Sequence, residues 1–332
     1  MNSQQLEGVC LRFRLGAPIA APQPVAGGRV HQIWRIETTE GIFAVKLLRP
    51  SATPQPGMLA FYRRAEGIAR EMAARGVPAL AALPRRNGLV QRIKGAYVAV
   101  FPWAEGKTLP FSAASPEQAR QIGILLGQMH TFKLAIPGLE IPIWKVLRDD
   151  DWVLLARRAA GAHAPWTEEI RARLRELCWW SRLARDANPR LWNTLVASHC
   201  DVGQSNVIWR DAHTPALVDW ESAGLINPTL ELVKAALDWS GISVGEPEEA
   251  SFQAVLAGYR GAGGQLHDSA HDALAGTLGH WLEWLEFNMR RSLDTTASPE
   301  ERSLGVSETT RALATLQRIG ENLGRVVAWV ER

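Results

Sequence analysis

Apolar and polar positions alternate in the first third of the chain and fall into a helical period beyond it. Residues 30–38 (VHQIWRIET) partly alternate, Thr39, Glu40 and Gly41 supply a turn, and 42–48 (IFAVKLL) is rich in β-formers, so the stretch predicts a hairpin. Met58, Tyr62, Ala65, Ala69 and Met72 recur at helical spacing, and Gly76 and Pro78 follow, which predicts a helix over 58–75. Two short strands are read at 89–93 and 96–101, and the segment 102–106 (PWAEG) breaks the pattern. The Pro-rich stretches 17–25 and 50–57 read as connectors.

Beyond the break the helical period dominates. Ser115 is placed as an N-cap, with Pro116 at the first helical position and Gln118 where a capping box wants it. Ala119, Ile122, Leu126 and Met129 line one face. Further amphipathic stretches cover 167–187, 229–239, 248–259, 268–292 and 307–331. One β signal interrupts them, a hairpin of 206–209 and 216–220 around the polar turn 210–214. The expected fold class is α+β, with a β-rich lobe over 1–101, a hinge at 102–106, a helical lobe over 107–332 and a cleft between the lobes.

Composition narrows the function by exclusion. A net charge of +3 without any run of five like charges leaves no nucleic-acid or membrane footprint. The three cysteines, Cys10, Cys178 and Cys200, form no CxxC and no disulfide framework, and the first residues lack a signal-peptide pattern, so a cytoplasmic protein is expected. The 14 tryptophans against 3 tyrosines read first as core and cleft fillers.

Candidate chemistry gathers at the second hairpin. His199, Asp201 and Asn206 form HxDxxxxN, and Asp219 follows 13 residues after Asn206. Phosphoryl transfer from a nucleotide needs Mg2+, which prefers oxygen ligands such as Asn and Asp. Antiparallel pairing brings Asn206 and Asp219 together at the hairpin base. Asp201, on the loop before it, is placed to receive the proton of an acceptor hydroxyl, and His199 to brace that loop. Lys46 lies in the strand AVK, behind Gly27 and Gly28 and ahead of an acidic helix. A glycine turn brings backbone N–H groups to phosphate oxygens, and a strand lysine reaches the α and β phosphates if a carboxylate holds it. On a helical wheel Glu66 faces the sheet more easily than Glu71 and is the expected partner.

These pieces, GGRVHQIWRIETTEGIFAVKLL, VAVFPWAEGKTL, ILLGQMH, SHCDVGQSNVIW and LVDWESAGLINPTLEL, resemble the aminoglycoside phosphotransferase and choline kinase-like family, which has a two-lobed protein-kinase-like fold. The resemblance implies an ATP- or GTP-dependent kinase in which Lys46 binds the α and β phosphates, Asp201 is catalytic, and Asn206 and Asp219 hold Mg2+. It further implies that backbone groups of 100–104, with Val100, Phe101, Trp103 and Ala104, hold the adenine. The chain departs from the family's HGDxxxGN-like loop at Cys200 and Ser205, and carries Glu231 where an aspartate that braces the catalytic loop is usual.

The acceptor end is read from composition. Asp238, Trp239, Trp281, Glu283, Trp284 and Glu286 mix carboxylates with indoles, which suits a cationic or polyhydroxylated ligand, while the same spacing also fits helix core and wet face. Glu221 is a candidate to assist metal or substrate. Residues 149–151, three aspartates, are expected to cap a helix at Trp152, and His130, Cys10 and Cys178 to be structural. The expected acceptor is a hydroxyl of an aminoglycoside-like antibiotic or related metabolite. The alternatives are a choline, homoserine or sugar kinase, or a kinase-like binding protein without turnover.

Overall fold

The chain begins with a helix that the period reading did not find. In the computed structural model, which describes all residues except 26–30, 49–56, 86–87, 113, 135, 137 and 142–144, α1 runs Ser3–Phe13. Asn2 and Gln5 exchange capping hydrogen bonds at its start, and Leu6, Val9, Cys10 and Phe13 bury one face. That face packs with Ile36, Val45, Leu47, Ile93, Val98 and Val100, so α1 covers the back of the first sheet.

Five strands among the described residues build this sheet: β1 (Gln23–Val25), β2 (Gln32–Thr38), β3 (Gly41–Leu48), β4 (Gln91–Ile93) and β5 (Ala96–Pro102). They pair antiparallel in the order β1-β2-β3-β5-β4. Register sorts the side chains, since Lys46 pairs with Ala99 and Val45 with Val100. Val45 and Val100 therefore face α1, and Lys46 and Ala99 face the other way. α2 (Met58–Ala74) follows β3, as the period predicted, with Tyr62, Ala65, Ala69 and Met72 buried.

The chain clusters into two compact units. The first, Met1–Leu109, Leu134–Glu140 and Ala197–Gly224, holds this sheet, α1 and α2, and also the hairpin β7 (Val207–Trp209) and β8 (Pro215–Leu217) with the loop before it. β6 (Val196–Ser198) and β9 (Gly224–Ile226) flank that hairpin in sequence. By compactness, then, the loop carrying Asp201 goes with the sheet carrying Lys46.

The second unit, Pro110–Lys133, Ile141–Val196 and Leu225–Arg332, is helical. It contains α3 (Pro116–Thr131), α4 (Asp149–Gly161), α5 (Thr167–Leu191), α6 (Pro228–Trp239), α7 (Glu249–Gly261), α8 (Ala270–Leu293) and α9 (Pro299–Glu331). Ser115 caps α3 through the Gln118 N–H, as expected. The three aspartates 149–151 form the first turn of α4, one turn earlier than expected, where carboxylates meet the positive end of the helix dipole. α9 starts at Ser298 and Glu301, a reciprocal cap ahead of the predicted boundary. α8 packs against α5, α6 and α9.

Candidate active site

The β7–β8 hairpin is short, with register Val207↔Leu217, Ile208↔Ala216 and Trp209↔Pro215. Val218 N–H donates to the Asn206 carbonyl at 2.9 Å, which continues the pairing and draws Asn206 and Asp219 to the same end, as the spacing predicted. Asp219 itself is left-handed at φ 60, and a 3-10 turn, Trp220–Ser222, starts there and packs against α2.

The loop 199–206 is held from within. His199 Nε2–H donates to the Val218 carbonyl at 3.0 Å, and Asp201 N–H donates to His199 Nδ1 at 3.3 Å, two partners that match the neutral Nε2–H tautomer. The imidazole stacks obliquely on Trp220, with centroids 4.5 Å apart. Cys200 takes φ 65, the left-handed backbone that a glycine adopts without strain. The departure from the family loop is thus a side chain carried in a glycine conformation.

Asn206 Nδ2 donates to both the carbonyl and the Oδ2 of Asp201, each at 2.9 Å. Both partners are acceptors, so the amide nitrogen must face Asp201 and the amide oxygen is turned away from it. That oxygen and the carboxylate of Asp219, whose side chain is 37% exposed, are the hard oxygen donors a divalent cation prefers. No group of three or more His, Cys, Asp or Glu with metal-holding geometry occurs among the described residues. A two-oxygen set of this kind suits Mg2+, which keeps waters and phosphate oxygens as its remaining ligands.

Lys46 projects from β3 towards the same carboxylates. Its Nζ donates to Asp219 Oδ1 at 2.6 Å and to Glu221 Oε2 at 2.5 Å. Burial alone would lower the lysine pKa, but the two carboxylates outweigh it and push it up. Burial would likewise raise Glu221, and the hydrogen bond from His31 together with the Lys46 charge holds its carboxyl down at about 2. Here the structure corrects the sequence reading: the partner of Lys46 is not Glu66. Glu66 Oε2 instead accepts the Ala82 N–H at 2.8 Å, and burial pushes its pKa up to about 7. A helical wheel could turn Glu66 inward but could not reveal that a backbone donor met it first.

Lys46, Tyr62, Glu66, Phe101, Asp219 and Glu221 line a cleft inside the first unit. Gly27 and Gly28 lie outside the described residues. Of the groups expected to hold a purine, Phe101 lines the cleft, while the Val100 side chain is buried against α1 and its carbonyl accepts the Leu83 N–H at 2.7 Å. Trp103 N–H donates to the Ile42 carbonyl at 3.2 Å, and the Trp103 ring lies under Arg35. Ala104 follows on the segment after β5.

The remaining candidates belong to the second unit. Glu231 is 2% exposed and its Oε2 lies 2.7 Å from His130 Nε2, while His130 Nδ1 lies 3.0 Å from the Tyr259 hydroxyl. His130 is structural, as expected. Trp239 is wholly buried and its carbonyl accepts the Ala114 N–H, so its indole is core and not a ligand contact. Asp238 lies 3.6 Å from Lys234 one turn back on α6. Trp281 is 9% exposed and lies against the Arg311 guanidinium, which also covers Phe111 and pairs with Glu308. Trp284 Nε1–H donates to the same Glu308 at 3.2 Å. Glu283 is exposed. Arg311, Glu308 and Phe111 were missed by sequence reading because they approach α8 from other elements, with no spacing to announce them.

A strand lysine paired with the carboxylates of an acidic turn thus sits on a protein-kinase-like α+β fold. The model of APH, the phosphotransferase enzyme family, matches residues 22–264, and the chain therefore belongs to that family: it is a small-molecule kinase, transferring phosphate to a hydroxyl group. No curated protein matches the chain by sequence. Solved structures share its fold at low identity. A spectinomycin phosphotransferase solved with ADP and spectinomycin is 12% identical, with TM-score 0.72 over 97% of this chain and 99% of that one. An aminoglycoside phosphotransferase from Alicyclobacillus acidocaldarius is 15% identical, with TM-score 0.58 over 93% and 94%. A choline kinase from Cryptosporidium parvum is 11% identical, with TM-score 0.65 over the whole of both chains. Among the described residues no helix is long and apolar enough to cross a membrane.

Proposed function

We propose that the protein transfers the γ-phosphoryl group of ATP or GTP, with Mg2+, to a hydroxyl of an aminoglycoside-like antibiotic or a related metabolite in the cytoplasm. The observation that carries this reading is the convergence of Asp201, Asn206 and Asp219 at one hairpin end, with Lys46 on Asp219. When bound, Mg2+ would neutralise charge on the phosphates, and Asn206 and Asp219 would hold it. Lys46 would bind the α and β phosphates. Asp201 would accept the hydroxyl proton, kept in place by the Asn206 amide on its Oδ2.

The choline-type alternative drew on Trp281 and Trp284, and both indoles now have partners from the chain itself, Arg311 and Glu308. That observation favours an acceptor recognised through its hydroxyls over a quaternary ammonium at this cluster. The test is a screen of ATP and GTP consumption against aminoglycosides, other antibiotics, choline and small sugars. With the best acceptor, Asp201→Ala should lower kcat at least about 100-fold while nucleotide binding by calorimetry stays within a few-fold. Activity within about tenfold of wild type would remove Asp201 from its role, and ligand binding without any transfer would establish the binding-only alternative.

A further inference from the structure

Lys46 has two carboxylate partners with unequal freedom. Asp219 is the more exposed of the two, at the start of a short 3-10 turn, and the proposed reading gives it a second duty at the cation. Glu221 is tied down. His31 Nε2 lies 3.3 Å from Glu221 Oε2 and 3.0 Å from the Tyr62 hydroxyl, and His31 itself is buried. Glu221 is thereby linked at once to β3 through Lys46, to α2 through Tyr62, and to the residue that enters β2. Glu66, the α2 carboxylate, is committed to the Ala82 N–H, and turning it to Lys46 would leave that buried donor unpaired.

We infer that Glu221 is the residue that positions Lys46 for the nucleotide phosphates, with His31 as its tether, and that the α2 carboxylate Glu66 serves the fold instead. The ammonium of a lysine that is only 8% exposed needs a counter-charge at every stage. An aspartate that turns to a cation cannot supply it throughout. A carboxylate held by an imidazole can, because the tether keeps its oxygen beside Nζ.

The inference rests on the reading that Lys46 serves the phosphates, so Lys46→Met is measured first. If Lys46→Met binds ATP in EDTA as wild type does, that reading fails and takes this inference with it. Given a weakened Lys46→Met, Glu221→Gln should weaken metal-free ATP binding at least tenfold and lower kcat/KM for nucleotide about 100-fold, the scale for breaking a buried charge pair. The acceptor KM should move less than threefold, and Glu221→Asp should recover part of the loss. Glu66→Gln, whose amide oxygen still accepts from Ala82, should cost at least tenfold less than Glu221→Gln. The double variant Lys46→Met/Glu221→Gln should be no worse than Lys46→Met, since removing one member of a pair removes the interaction. A larger loss in Glu66→Gln, or losses that multiply in the double variant, would overturn the assignment and leave the lysine's role intact. Should Glu221→Gln fail to fold by thermal melting, His31→Gln carries the same test, with a loss of about tenfold expected and none overturning it.

Discussion

Two carboxylates near one lysine have been driven apart by their surroundings. Glu221, with an imidazole and an ammonium beside it, stays ionised down to about 2, whereas the burial of Glu66 carries it up to about 7. The sign for Glu66 follows directly. Folding favours its neutral acid, so the associated stability is complete below the unfolded value near 4.5 and is lost as pH rises through about 7. Glu66→Gln keeps the acceptor for Ala82 and removes the ionisation. Its melting temperature should match wild type at pH 5 and exceed it at pH 8, where the difference in stability is on the order of 2–3 kcal/mol. Equal melting temperatures at both values would mean that Glu66 titrates as an exposed carboxylate does.

Between helices of the second unit, α3 and α7 meet through glycines. On α3 and α7, a Cβ at Gly123 would lie 2.0 Å from the Val255 carbonyl oxygen, one at Gly127 2.7 Å from that of Tyr259, and one at Gly258 2.1 Å from that of Arg120. These are backbone atoms, which cannot swing aside. Gly258→Ala should therefore destabilise by about 1–3 kcal/mol or more despite the better helix propensity of alanine, as urea unfolding would show. A stabilised variant would mean that the two helices separate without cost. The sequence displays two glycines four residues apart in GILLGQMH but not the partner helix that needs them, because the reason lies on an element far along the chain. The same limit hid α1: its four buried positions have helical spacing, but the span is short and its partner is the back of a sheet.

At the scale of the whole molecule, ligand binding couples site to stability. Saturating Mg2+ and ATP at about 100 times Kd should stabilise the protein by about 2.7 kcal/mol. Asp219→Ala should abolish the magnesium-dependent part of that shift in a thermal melt, and an unchanged shift would take Asp219 out of the metal site. This prediction was legible in sequence, since HxDxxxxN with a following aspartate spans a single hairpin and hairpin pairing is local. The partners of Lys46 were not legible, because they join strand β3 to a turn 173 and 175 residues away.

Period and turn chemistry alone determined the α+β class, the first-sheet hairpin, the longer helices after it and the closeness of Asn206 to Asp219, all of them set by neighbours within a few residues or one turn. Tertiary structure alone decided which carboxylates hold Lys46, which indoles are core, and that Arg311 meets Trp281. Those outcomes turn on a few ångströms between elements remote in sequence, where a backbone N–H at Ala82 or an imidazole at His31 competes for the same oxygen.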